Sequence, residues 1–134
     1  MEQKKLQTFP VLKTDRLTLR QLSKSDVDEI LLLRSDTLIN KYLGRQPTVT
    51  LKGALEFIEQ IINNSFSYWA IEQNVDKKMV GTICLFDISE KLKKCEIGYE
   101  LLTEYQGNGI MEEAAKRVIQ YSVKILGLRN INAY

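Results

Sequence analysis

Two glycines one residue apart stand between an apolar run and a long amphipathic one, in the order Gln106, Gly107, Asn108, Gly109, Ile110, Met111. Glycine permits a tight turn and lets a bulky anion come close to backbone amides. A helix that opens directly after such a turn adds unpaired N–H groups and a partial positive charge. That pattern can capture a diphosphate, although an ordinary strand-to-helix turn with no ligand has the same local signature. Upstream, Glu96 and Glu100 alternate with apolar residues and are candidates for proton transfer. The chain has no histidine and two cysteines, Cys84 and Cys95, both in apolar runs. Histidine-based triads are therefore excluded, and neither a zinc site of ordinary composition nor any other metal is expected. Proton movement must use a carboxylate, tyrosine, lysine or water. The cysteines read as small buried apolar residues.

The elements that position these residues follow from periodicity. Residues 16–22 alternate apolar with polar and predict a half-buried first strand. Ser23 or Ser25 is placed to cap a helix running to about Arg34, with Asp26 and Asp28 in its first turn. Residues 40–50 read as a loop with Gly44 and Pro47 as breakers. Thr50 is placed to cap a second helix to about Asn63, whose predicted apolar side is Leu51, Leu55, Ile58, Ile61 and Ile62. Residues 67–72 and 79–86 predict a hairpin around a polar turn at 74–78. Residues 95–101 predict a further strand. In it Glu96, Gly98 and Glu100 face one side, and Cys95, Ile97, Tyr99 and Leu101 the other.

A long helix from about Gly109 to Leu126 comes next, with Ala114, Ala115, Val118, Ile119, Ser122 and Val123 as its expected buried side. Gly127 is its expected stop, and residues 130–134 begin another strand. The order is β-α-α-β-β-β-α-β. The terminal strand–helix–strand unit should place its two strands parallel, joined by a right-handed crossover. A mixed α/β sheet with helices on both faces is the predicted class.

The length of 134 residues allows one domain, residues 1–134. A formal net charge of +2, with basic residues scattered among acidic ones, is too small to predict a nucleic-acid or membrane partner. The polar start, Met1 to Lys5, is no signal peptide, and no apolar run reaches the length of a membrane span. A cytoplasmic location is the expectation.

In that order, four segments resemble the GNAT superfamily of acyl-CoA-dependent N-acetyltransferases, most closely the branch of ribosomal-protein N-terminal acetyltransferases. They are Thr14, Asp15, Arg16, Leu17, Thr18, Leu19 and Arg20 with Asp26; Trp69, Ala70 and Ile71 followed by Val80, Gly81, Thr82 and Ile83; Glu96, Ile97, Gly98, Tyr99, Glu100 and Leu101; and the glycine loop followed by Glu113 and Ala114. The loop resembles the family's (Gln/Arg)-x-x-Gly-x-(Gly/Ala) motif, with Met111 where the family prefers a small residue.

The resemblance implies acetyl-CoA as co-substrate and an amine acceptor. Gln106, Gly107, Asn108, Gly109, Ile110 and Met111 would hold the diphosphate. Ile97, Gly98, Tyr99, Glu100 and Leu101 would flank the pantetheine arm where two strands splay apart. Glu96 stands roughly where some members carry a catalytic glutamate and is the candidate base, against the plainer reading of a rim residue paired with a lysine or arginine. Residues 38–50 and the first two helices would choose the acceptor.

The family continues past this point with a further helix and two strands. The expectation is therefore a fold incomplete at its C-terminus, or one completed by a partner chain such as a second copy. The alternative function is a catalytically incomplete acyl-CoA-binding or interaction protein. Nucleotide binding is less well supported, because the loop lacks the Gly-Lys-Ser/Thr of a P-loop and does not follow the first strand.

Overall fold

The computed structural model describes residues 9–35, 50–64 and 67–133. The polar start, the loop at 40–49 and Tyr134 lie outside the described residues. Strands β1 (Leu12–Lys13) and β2 (Leu17–Gln21) lead through a 3-10 turn (Lys24–Asp26) into helix α1 (Val27–Ser35). Helix α2 (Leu51–Asn64), strands β3 (Tyr68–Gln73), β4 (Met79–Ser89) and β5 (Lys94–Leu101), helix α3 (Ile110–Lys124) and strand β6 (Asn130–Ala133) follow. The sheet order is the chain order, with β1 to β5 antiparallel and β6 parallel to β5. The mixed sheet and the parallel last pair match the expectation. Strand β1 was not foreseen: two residues are too few for alternation to be visible, and pairing of Leu12 with Leu19 defines it.

Helices cover both faces because the strands bury both. Trp69 and Ile71 of β3 join Leu17, Leu19, Ile83 and Ile97 under α3. The intervening Ala70, with Leu22 and Met79, packs against α1 and α2. Period two thus divides one strand between two cores. Trp69 is fully buried, and its indole N–H donates to the Pro10 carbonyl at 2.8 Å. Phe9 and Tyr121 meet its ring edge-to-face at 6.2 and 5.7 Å.

Capping chemistry sets the helix starts. The Ser23 hydroxyl accepts from the Ser25 N–H at 3.2 Å, and the Asp26 carboxylate accepts from the Ser23 N–H at 2.8 Å. This reciprocal box selects Ser23 over Ser25 as the cap. Thr50 caps α2 as expected, its hydroxyl accepting from the Gly53 N–H at 3.0 Å. Gly127 takes a left-handed φ of 68° after α3.

Two apolar faces differ in phase from expectation. On α2 the buried line is Ala54 and Ile58, with Phe57, Ile61 and Ile62 partly covered, while Leu51 and Leu55 are exposed. On α3 it is Ile110, Ala114, Val118 and Ser122, and Ile119 and Val123 face outward. Apolar residues occupy more than one side of each helix, so spacing fixed the period and the docking partner fixed the rotation. Ser122 tolerates full burial because its hydroxyl donates to the Val118 carbonyl at 2.8 Å. No helix among the described residues is long and apolar enough to cross a membrane.

Candidate functional site

After β5 a 3-10 turn, Thr103–Tyr105, swings the chain toward α3. Gln106 then anchors the loop, its side-chain amide donating to the Leu101 carbonyl at 3.1 Å. Gly107 and Gly109 adopt φ of 84° and 77°. A Cβ on Gly107 would meet nothing within 4 Å, so backbone conformation and not crowding calls for glycine there. Gly109 is the N-cap of α3 and offers no side-chain cap. The N–H groups of Ile110, Met111 and Glu112 therefore have no intrahelical acceptor.

Gln106, Gly107, Asn108 and Gly109 are exposed, while Ile110 is buried below them. Met111 is partly buried and packs against the α3 core, so its long side chain does not fill the loop. The six loop residues thus form an open mouth of main-chain donors at the positive end of a fifteen-residue helix.

Among the described residues, β6 flanks the first half of the β5 edge beside this mouth. Its register with β6 ends at Ile97 and Ala133 within the described residues. The Leu102 N–H donates to the Val80 carbonyl at 2.9 Å, toward β4. Strand alternation therefore turns the peptide groups of Tyr99 and Leu101 to the opposite edge, past the end of that pairing. Gln106 occupies the Leu101 carbonyl there. Tyr99 itself departs from expectation: Cys95, Ile97 and Leu101 are buried on its face of the strand, but Tyr99 is 40% exposed. It lies beyond the stretch that β6 flanks.

Glu96, Gly98 and Glu100 share the α1–α2 side of the sheet, opposite Phe86, Cys84 and Thr82 of β4. All three are partly buried. Gly98 leaves a gap that a Cβ would close, at 3.2 Å from the Phe86 ring. Tyr68 adds its hydroxyl to this surface, 3.4 Å from the Thr82 hydroxyl. No lysine or arginine among the described residues pairs with Glu96. Glu96 and the glycine loop are not adjacent: Leu101 lies five residue steps along the strand from Glu96, roughly 17 Å at the usual rise.

Cys95 is buried as the sequence implied, whereas Cys84 is only partly buried, because it lies on the half-covered α1–α2 side of β4. Burial pushes the Cys84 thiol up to about 11, the Gly98 backbone opposing and Glu100 adding to the shift. Burial likewise raises Cys95, helped by Glu96. Both thiols remain protonated near neutral pH, which is unsuited to nucleophilic attack.

Sequence reasoning missed one contributor to the loop. The Arg16 Nε donates to Glu113 Oε1 at 2.7 Å, and the Arg16 backbone N–H donates to Oε2 at 3.0 Å. The Thr14 hydroxyl also donates to Oε2. Arg16 Nη1 then donates to the Asn108 carbonyl at 3.2 Å, inside the glycine loop. Burial by itself would raise the Glu113 pKa, but the hydrogen bonds from Thr14 and Arg16, with the Arg16 charge, outweigh it and hold the carboxyl below its ordinary value. In the sequence Glu113 stands out only as one residue of the segment that follows the glycine loop. No local signal links it to a residue 97 positions away.

A family model described as an acetyltransferase (GNAT) domain matches residues 16–134. The uncharacterized N-acetyltransferase YoaA of Bacillus subtilis (strain 168) is 32% identical over 129 residues, covering 93% of this chain and 73% of YoaA. The structure of a GNAT-family acetyltransferase from Bacillus anthracis superposes with a TM-score of 0.82 at 22% identity, over 92% of this chain and 72% of that one. Spermidine N-acetyltransferase from Vibrio cholerae, solved in complex with CoA and spermine, is 25% identical with a TM-score of 0.76. That alignment covers 90% of this chain and 71% of the other.

Proposed function

The chain belongs to the GNAT family of acetyltransferases, and from that premise we propose that it moves an acetyl group from acetyl-CoA to a primary amine by direct attack. The observation that carries this reading is the exposed loop of left-handed glycines at the mouth of α3. The six loop residues would bind the coenzyme diphosphate through main-chain N–H groups. The arm would run along residues 97–101, pairing its amides with the Tyr99 peptide groups, which point away from β4. An extended arm fits the separation between the loop and Glu96.

At the far end, Glu96 would accept the proton of the incoming ammonium, directly or through water. The neutral nitrogen then attacks the thioester carbon. A C–N bond forms, the C–S bond breaks, and the thiolate leaves to be protonated. Direct attack, without an acyl-cysteine, agrees with thiols held protonated by burial. The acceptor is a primary amine on a small molecule or a protein N-terminus. The described part of the surface that would receive it is the half-covered α1–α2 side carrying Glu96, Gly98 and Glu100.

Calorimetry with coenzyme A, followed by thiol release from acetyl-CoA against a panel of amines, tests the reading. Binding and amine-dependent release are expected. Gly109→Asp should abolish binding by setting a carboxylate against the diphosphate, and unchanged affinity in that variant would remove the loop assignment. Glu96→Gln should slow transfer with little change in coenzyme affinity; an unaltered rate-versus-pH profile rejects Glu96 as the base. Tight binding with no turnover on any amine would instead favour an acyl-CoA-binding protein without catalysis.

A further inference from the structure

Arg16, in the bend between β1 and β2, reaches the coenzyme loop across more than ninety residues of sequence. The three hydrogen bonds that Arg16 donates among the described residues are not equivalent. Two go to Glu113, one from the backbone N–H and one from Nε, and the Nε contact holds the guanidinium beside that carboxylate. The third goes to the Asn108 carbonyl at 3.2 Å. In a trans peptide the carbonyl and the following N–H point in opposite directions. A guanidinium that holds the Asn108 carbonyl therefore directs the Gly109 N–H to the other side of the peptide plane. No side chain caps that end of α3.

Charge adds a second effect. Glu113 is a carboxylate in the first turn of the helix whose mouth takes the diphosphate. Left alone, it would repel that anion. Arg16 Nε lies 2.7 Å from Glu113 and cancels its charge. The Arg16 side chain is still 51% exposed, and its Nη2 comes within 3.5 Å of where a Cβ on Gly109 would stand.

We infer that Arg16 is a positioning residue for coenzyme binding: it turns the Asn108–Gly109 peptide so that its amide faces the diphosphate, and it neutralises Glu113 beside that site. The inference rests on the loop being the diphosphate site. It predicts that the arginine matters for the phosphates and not for the arm.

The test measures affinity for coenzyme A and for pantetheine, which carries no diphosphate, in the unaltered protein, Arg16→Ala and the Arg16→Ala/Glu113→Ala double variant. Thermal unfolding is followed in parallel. Arg16→Ala should weaken coenzyme A about tenfold, the scale of one charged contact at a helix start, and leave pantetheine unchanged. The double variant should recover part of the loss, because the unbalanced carboxylate has gone. Coenzyme affinity untouched by Arg16→Ala, equal weakening of both ligands, or a double variant no tighter than Arg16→Ala overturns the inference. If the unaltered protein binds no coenzyme A, the loop assignment itself fails and takes this inference with it. Should Arg16→Ala not fold, Arg16→Gln, which keeps a donor for Glu113 but loses the charge, carries the same expectation.

Discussion

Arg16 just before β2 and Arg20 near its end stand four residues apart, and each holds a carboxylate from another element of the fold. Arg20 is a closed cluster. Its Nη1 and Nη2 donate to Asp26 at 2.9 and 2.8 Å, its Nε to Glu72 at 2.8 Å, and Nη1 also to the Gln21 carbonyl. The side chain is 23% exposed and Asp26 only 4%. The Asp26 hydrogen bonds hold the guanidinium above its ordinary pKa against the opposing effect of burial, and Glu72 adds to them. Arg16 is twice as exposed and spends one of its contacts on the carbonyl of a loop that binds nothing else in the described chain at that point. The same residue type is a fastener where every nitrogen is consumed by acids, one of them buried, and an adjustable support where it reaches a solvent-facing loop. Burial of Asp26 and of the guanidinium itself separates the two roles.

The sharpest way to break this contrast is Arg20→Ala. It leaves Asp26 buried with its fork removed, and the cost should be about 3 kcal/mol of unfolding free energy. Coenzyme affinity of the folded protein should not move. Denaturant unfolding with a parallel titration would measure both, and a stability loss below the scale of a surface pair would make the cluster no fastener at all.

Gly107→Ala should have the next largest effect. The left-handed backbone costs about 1 kcal/mol for a residue with a Cβ, and the open space around Gly107 means no clash adds to it. A much larger loss would mean that the loop packs more tightly than its exposure indicates.

Arg16→Ala should cost least in stability, about 0.5 kcal/mol as an exposed pair, while coenzyme binding suffers. The acid dependence of this contact is smaller still and has a definite sign. Glu113 is held below its ordinary value of 4.5, so its contribution is present above that pH and lost as pH falls through the lower, folded value. Unfolding followed from pH 6 to pH 3 (approximately the span of carboxylate titration) should show a loss that Arg16→Ala reduces. Identical pH profiles in the two proteins would show that the arginine does not hold the carboxylate.

Much of the scaffold was legible because its signals are local. Alternation at 16–22, the hairpin turn at 74–78, the Thr50 cap, the stop at Gly127 and the strand–loop–helix–strand ending all reside in a few neighbouring residues. The glycine loop was legible for the same reason: positive φ at Gly107 and Gly109 is written in the absence of a Cβ. The phases of α2 and α3 were not legible. Leu55 and Ile119 have the hydrophobicity to be buried and lack only a neighbour to bury them. Asp26 looked like a helix-dipole acid, but in the fold it is the buried partner of Arg20. Met111 looked like an obstacle in the loop, but the core beneath the helix receives its side chain.

By itself the sequence determined the order and kind of elements, the two left-handed turns that open α3, and the absence of imidazole chemistry, since backbone preference, periodicity and residue inventory need no knowledge of what lies nearby in space. Tertiary structure alone decided that Arg16 reaches Glu113 and Asn108, that Glu96, Gly98 and Glu100 share a half-covered face, and that β6 pairs with β5 along Lys94 to Ile97. Each of those depends on packing between segments tens of residues apart, and a contact across such distances is fixed by the shape of the assembled core and not by any local preference of the residues that make it.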